Sequence, residues 1–358
     1  MTYNCLEGTN SLYIERHSSG YIVSPCCLYK DKHNSGTVPN IEDLIDNPAI
    51  NKIKEGFKGD WKRPECIDCV RKESAGKSSK RTKSLERGDT GITSWDIRPG
   101  SLCNLKCAMC TPWNSSKWYE DIDIFKKYNG KVLNEDNRKA RDEIDWDWIY
   151  ENCIDKAISI YIAGGEPFYM KDVQKFIKNL SKHEWNRNNT ILCIQTNGVS
   201  NTPKFLEILS KFNHLEFSIS CDGWSDVNDL IRFPTKHDEF LKNTQELVDL
   251  NCEKLFFNIT VQAMNLPNID TLVNNIQKKW NGKYDIHKLT RPNQLQVNAL
   301  KPHIVERVLE QTKVPELRKF YSDYKFNEQL NLKMQQYLLE LDSARGTDSK
   351  KIIPWCFE

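Results

Sequence analysis

The sequence predicts an α/β fold in which six parallel strands form a partial barrel. Three observations carry that expectation. From about residue 91, short apolar runs alternate with longer amphipathic ones. The strand-like runs keep one polar face. Residues suited to chemistry follow the first two runs directly. The strand-like runs are "ITSWDIR" (92–98), "KAISIYI" (156–162), "TILCIQT" (190–196), "LEFSISC" (215–221), "KLFFNITVQ" (254–262) and "QLQVNAL" (294–300). Between them, "KDVQKFIKNLSKH" (171–183), "KFLEILSKF" (204–212), "HDEFLKNTQELVDL" (237–250) and "LVNNIQKKW" (272–280) carry the helical period. Strands alternating with helices imply a parallel sheet with right-handed crossovers.

The strand faces say more. In 254–262, Leu255, Phe257, Ile259 and Val261 share one face, and Asn258, Thr260 and Gln262 share the other. In 215–221, Phe217, Ile219 and Cys221 oppose Ser218 and Ser220. Asp96 and Arg98 share a face, as do Gln195 and Asn197. A closed eight-stranded barrel fills its interior with branched apolar side chains. A polar face on strand after strand fits an incomplete barrel around a wet, substrate-sized cavity. The alternative is an open sheet with one solvated face, which parallel sheets rarely show.

At 358 residues the chain can hold one large domain plus an appendage, or two domains. A net charge of +2 among 28% charged residues gives no reason to expect a general nucleic-acid or membrane binder. No apolar run approaches the ~20 residues needed to span a bilayer. "MTYNCLEGTN" lacks the charged-then-apolar pattern of a signal peptide. The expectation is a cytoplasmic protein. Thirteen cysteines in a reducing compartment argue for metal or redox chemistry over disulfides. A lone cysteine such as Cys153 or Cys252 reads as a small buried apolar residue. The basic run "KSSKRTK" (77–83) reads as a solvated linker, or otherwise as an anion-binding arm. Three regions follow: 1–88, cysteine-rich, with helical period only near Ile41 to Phe57; 89–300, the barrel segment; and 301–358, a helical extension without obvious chemistry.

"CNLKCAMC" (103–110) sets Cys103, Cys107 and Cys110 at C-x3-C-x2-C and supplies no fourth cysteine. A closed zinc site wants four ligands, and a cubane iron–sulfur cluster has four corners to cap. The triplet therefore borrows a distant ligand or leaves one corner open. It follows the first strand, at the end where barrel active sites lie. "AGGEPF" (163–168) follows the second strand. Its glycines let the backbone approach a ligand closely, and Glu166 offers a carboxylate to an amino group.

With "CNLKCAMC", "GGEP", "QTNG" (195–198), "SISCDG" (218–223) and the following Arg232, the sequence resembles the radical S-adenosylmethionine (SAM) superfamily over roughly residues 91–300. The resemblance implies a partial (β/α)6 TIM-like barrel. It implies a [4Fe–4S] cluster held by Cys103, Cys107 and Cys110, with the amino and carboxylate groups of SAM closing the open iron. Gly164, Gly165 and Glu166 would meet the methionine amino group. Ser220 would hydrogen-bond the ribose or carboxylate, with Ser218 counted in the same cofactor site. Arg232 would pair with the methionine carboxylate, and Asn197 would shape the floor. Met109 stands where the family often has an aromatic residue, and it can still pack against adenine. The implied reaction is reductive cleavage of SAM to a 5′-deoxyadenosyl radical that abstracts hydrogen from substrate. An external one-electron donor such as flavodoxin or ferredoxin would supply the electron.

"GYIVSPCC" followed by "CIDC" in the N-terminal region resembles the twitch or SPASM auxiliary-cluster module of the same superfamily, here placed before the barrel. It implies a second [4Fe–4S] cluster on Cys5, Cys26, Cys66 and Cys69, with Cys27 as the alternative to Cys26. The spacing alone also admits structural zinc. Twitch and SPASM enzymes commonly modify peptides, and others dehydrogenate an alcohol on a small polar molecule; a peptide or protein side chain, oxidised or crosslinked, is the preferred substrate because the helical tail after residue 300 offers a docking surface. A dehydrogenase of a small sugar-like or nucleotide alcohol is the alternative. A non-catalytic Fe–S or zinc binding protein is the alternative of another class.

Overall fold

In the computed structural model of the chain, which describes residues 5–30, 36–45, 47–87, 91–130, 132, 135–250 and 252–358, the backbone divides into two units. The first comprises residues 1–101, 134–195 and 202–216; the second comprises 102–133, 196–201 and 217–358.

The first unit is built on strands β1 (Ser11–His17), β2 (Gly20–Ile22), β3 (Thr37–Val38), β4 (Ser94–Arg98), β5 (Ser159–Ile162) and β6 (Ile191–Thr196), ordered β3-β2-β1-β4-β5-β6. β4, β5 and β6 form where the sequence places them, and they pair in parallel. β1 was not foreseen. It lies in the cysteine-rich region, yet it pairs in parallel with β4, setting Leu12 opposite Trp95 and Ile14 opposite Ile97. The signal was alternation in "SLYIERH". Leu12 and Ile14 fall on the face that also buries Ile97, Ile160, Ile162, Leu192 and Ile194. Burying each such side chain contributes about 1.5–3 kcal/mol relative to leaving it exposed. The helix Lys171–Leu180 covers its part of this unit's core with Val173, Phe176, Ile177 and Leu180, at the spacing the sequence showed.

The basic run at 77–83 is not a solvated linker. A helix spans Lys80–Arg87, and Ser79 and Ser84 are buried. The Glu7 backbone N–H donates to Ser84 Oγ at 2.8 Å. The Lys80 ammonium sits 2.7 Å from Glu7 and 2.9 Å from Asp96. Composition misled here because the acids that neutralise Lys80 lie far away in sequence.

The second unit holds β7 (Leu215–Ser220), which belongs to it from Phe217 onward, with β8 (Lys254–Val261) and β9 (Lys283–Lys288), ordered β7-β8-β9. β8 and β9 are parallel, with Ile259 opposite Ile286. The expected strand at 294–300 is instead two 3-10 turns, Asn293–Leu295 and Val297–Ala299. The strand beside β8 comes earlier, from "KYDIHK". Only Ile286 is buried in that run, so it carried little apolar signal. Leu295, Val297, Ala299 and Leu300 are buried without a ladder. Asn298 donates to the Lys325 carbonyl at 2.6 Å. Helices Pro302–Gln311, Pro315–Phe320 and Glu328–Arg345 follow. Among the described residues, no helix is long and apolar enough to cross a membrane.

Candidate active site

The cysteine loop is held by the second unit's own backbone and side chains. The Lys106 N–H donates to the Phe233 carbonyl at 2.8 Å, and the Ala108 N–H to the Ile231 carbonyl at 2.7 Å. Trp118, fully buried, donates its indole N–H to the Cys107 carbonyl at 2.9 Å. Tyr337 reaches in from the C-terminal helix and donates to the Ala108 carbonyl at 2.8 Å. Asn197 Nδ2 donates to Asn104 Oδ1 at 2.8 Å, which ties the "QTNG" turn to the same loop. Met109 lies half-buried between the second and third cysteines. The Cys103, Cys107 and Cys110 side chains share one neighbourhood. Burial pushes the Cys110 thiol well up, and the adjacent Cys107 and Cys103 push it further. Burial also raises Cys107, against the pull of Arg232.

Arg232 is buried, and its Nη1 lies 2.6 Å from Asp222 Oδ2. Burial alone would favour its neutral form, but Cys107 and Asp222 hold it protonated. Asp222 was missed in the sequence, although it stands inside "SISCDG". Its other oxygen accepts the Thr260 N–H at 2.7 Å, and its carbonyl accepts from Asn265 Nδ2 at 2.7 Å. One aspartate just past β7 thus joins the C-terminal end of β8 to the arginine. A second cation also comes from the tail. Arg345 Nε donates to Asp121 Oδ2 at 2.8 Å, while Lys106 donates to the other Asp121 oxygen at 2.7 Å. The helical extension expected to carry no chemistry therefore braces the loop through Tyr337 and Arg345.

Several buried polar atoms here have no hydrogen-bond partner: the donors Arg232 Nε, Arg345 Nη1 and Nη2 and Gln262 Nε2, and the acceptor Gln262 Oε1. Ser218 accepts from Asn258 Nδ2 on the polar face, and Ser220 is half-buried. Three thiols among orphaned cationic donors suit an anionic thiolate-bound cluster and a carboxylate-bearing cofactor.

The "GGEP" turn belongs to the first unit. Gly164 and Gly165 have φ of +128° and +54°, both in the region that favours glycine. A Cβ at Gly164 would also meet the Gly100 carbonyl oxygen at 3.4 Å. Glu166 is buried, and its carboxylate accepts the Phe168 N–H at 3.0 Å, which fixes the turn.

The family model of the radical SAM superfamily matches residues 97–274. This segment is a radical SAM superfamily domain. No curated protein matches the chain. Among solved structures, it is similar to anSMEcpe with bound AdoMet, at 17% identity and TM-score 0.43, over 64% of this chain and 62% of that one. It is also similar to Streptococcus suis SuiB bound to S-adenosylmethionine, at 16% identity and TM-score 0.39, over 78% and 60%. SuiB bound to precursor peptide SuiA gives 15% and 0.38, over 79% and 58%. The chain therefore spans less than two thirds of the length of these structures.

The N-terminal cysteines lie outside the radical SAM domain, in the first unit. Cys5 caps the helix Leu6–Asn10, and its sulfur accepts the Gly8 N–H at 3.3 Å. Cys66 and Cys69 stand on consecutive turns of helix. Burial raises the Cys5 thiol to about 12, and among the further causes are Cys66 and Cys69. Cys26 is raised by burial first, with Cys27 and Cys5 adding to it. Cys5 thus lies within electrostatic reach of Cys26, Cys66 and Cys69. Cys27 has a partner of its own: Lys80 Nζ lies 3.4 Å from its sulfur, and burial and Asp96 raise it to about 11. Among the described residues, no three His, Cys, Asp or Glu side chains converge as they would around a single ion. A cubane differs, because each thiolate caps its own iron.

Proposed function

We propose that this chain is a radical SAM enzyme that oxidises or crosslinks a peptide or protein side chain. The observation that carries the reading is the cysteine loop, with its three thiols beside Arg232 in a segment matching the family model. Cys103, Cys107 and Cys110 would hold a [4Fe–4S] cluster. Gly164, Gly165, Glu166, Asn197, Ser218, Ser220, Arg232 and Met109 would serve SAM, and the parallel strands would form the partial barrel. When bound, the cluster and SAM supply a one-electron cleavage yielding a hydrogen-abstracting 5′-deoxyadenosyl radical. The chain's own part is to fix, orient and keep dry. Asp222 aims the Arg232 fork, which can meet a carboxylate bidentately as a lysine cannot.

Cys5, Cys26, Cys66 and Cys69 would hold a second, auxiliary cluster in a twitch-like module. Cys26 is preferred over Cys27, whose sulfur is engaged by Lys80. A flavodoxin or ferredoxin would donate the electron. The C-terminal helix supports a peptide over a small molecule, because it walls a wide cavity in the unit that carries the cysteine loop. The test is anaerobic reconstitution followed by dithionite and SAM. Slow release of 5′-deoxyadenosine is expected, and its absence from iron-loaded protein would sink the proposal.

A further inference from the structure

Within the second unit, the chain just past Cys110 runs along the wall of a cavity of about 740 Å³. Trp113, Phe125 and Tyr128 give it an aromatic wall. Its polar lining combines neutral hydroxyl and amide groups with two cations, Arg291 and Lys333. Arg291 is exposed at its edge and has no carboxylate partner among the described residues. Lys333, from the C-terminal helix, spends one bond on the Tyr128 carbonyl at 2.7 Å. The Asn129 side chain accepts from Gln294 Nε2 at 3.1 Å, yet its own buried Nδ2 donates to nothing. No Asp or Glu lines the cavity among the described residues.

A buried amide donor without a partner carries a desolvation penalty that an incoming acceptor relieves. Two cations beside it, with no resident acid, select an anionic acceptor. The aromatic wall selects an apolar neighbour to that anion. The cavity also shares structure with the cysteine loop. Lys333 lies one helical turn before Tyr337, whose hydroxyl holds the Ala108 carbonyl.

We propose that this cavity binds an acidic residue flanked by an aromatic one in the peptide substrate, docking the peptide beside the cysteine loop. The carboxylate would meet Arg291, Lys333 and Asn129 Nδ2, and the ring would lie against Trp113, Phe125 and Tyr128. This assignment rests on the peptide reading above but is tested without turnover.

The experiment titrates acetyl-Phe-Glu-amide and its neutral partner acetyl-Phe-Gln-amide into the full chain, followed by ligand-observed NMR or calorimetry. The Glu probe is expected to bind about tenfold more tightly, a difference of about 1.4 kcal/mol. In Arg291→Gln, whose altered side chain is exposed, the Glu probe should fall to the level of the Gln probe. Equal affinity for the two probes, no saturable binding, or binding that ignores Arg291 would each overturn the assignment. So would binding of free N-acetyl-phenylalanine without binding of the dipeptide, because the cavity would then read a terminal carboxylate. A chain that discriminates Glu from Gln but releases no 5′-deoxyadenosine would sink only the proposed reaction. Failure of the probes would leave that reaction standing.

Discussion

The two cysteine groups are built in opposite ways. Cys103, Cys107 and Cys110 come from one short stretch, held in shape by neighbours that exist without metal: the Ile231 and Phe233 carbonyls, Trp118 and Tyr337. Cys5, Cys26, Cys66 and Cys69 come from a helix cap, a loop and two consecutive helical turns. Bringing such distant groups together costs loop-closure entropy. A site that metal gathers returns binding free energy as folding free energy. A site already braced by its surroundings returns less. On the proposed reading, the first group would be shaped for reactivity, and the second, gathered by a cluster, would also act as a staple.

The largest expected effect comes from removing the braced group. With Cys103, Cys107 and Cys110 all replaced by Ala, SAM cleavage should vanish and about half of roughly eight irons should remain. The thermal midpoint should move little, because the loop keeps its hydrogen bonds. Iron analysis, product detection and calorimetry on one preparation check all three. Full iron retention would remove the triplet from the cluster.

Cys66→Ala with Cys69→Ala should do the reverse. Cleavage of SAM should persist uncoupled, turnover of a true substrate should stop, and the melting midpoint should fall by roughly 5 °C or more. If both variants melt alike, the staple idea fails. A folded variant that still converts substrate would reduce these cysteines to a structural role.

The same contrast explains what could be read from sequence. The C-x3-C-x2-C spacing, the "GGEP" turn and five of the strand positions are local signals, and the turn and those five strands survive in the structure. What escaped was non-local. Asp222 is an ordinary loop acid until Arg232 and Thr260 fold against it. Tyr337 and Arg345 look like tail residues until the C-terminal helix packs on the cysteine loop. β1 hid in a region read as irregular, because its partner β4 lies some eighty residues away. Lys80 looked solvated because Glu7 and Asp96 are not its sequence neighbours.

Asp222 offers a smaller, sharper test inside the braced region. Asp222→Asn should leave Arg232 charged and poorly compensated, costing about 3–5 kcal/mol if the pair behaves as other buried pairs do. SAM should bind more weakly, since the guanidinium loses its aim. Arg232→Lys should also weaken SAM binding while keeping the charge. Unchanged SAM affinity in both variants would detach Arg232 from the cofactor. Chemical denaturation and equilibrium binding measure the two effects separately.

The smallest effect checks whether the braced region's stability is set by its carboxylates, independent of metal. Asp229 lies three residues before Arg232, and burial, aided by Asp226 and Asp238, lifts its carboxyl from 3.8 to about 6. The His237 N–H donates to it at 2.9 Å, while its other oxygen is buried without a partner. Between pH 4 and 6 the folded state therefore holds more protons than the unfolded chain, so stability falls as pH rises through that window. Above pH 6 the loss is complete, and solvent screening limits it to about 1–2 kcal/mol. Asp229→Asn keeps an acceptor for His237 but cannot ionise. It should match the parent near pH 4 and exceed it at pH 7. His237 is held below its ordinary value chiefly by burial, and it adds a rise in stability of the opposite sense. Both proteins keep that residue, so their difference isolates Asp229. Metal-free protein suffices for the comparison. Parallel stability curves from pH 4 to 7 would show that this carboxyl does not set the pH response of the braced unit.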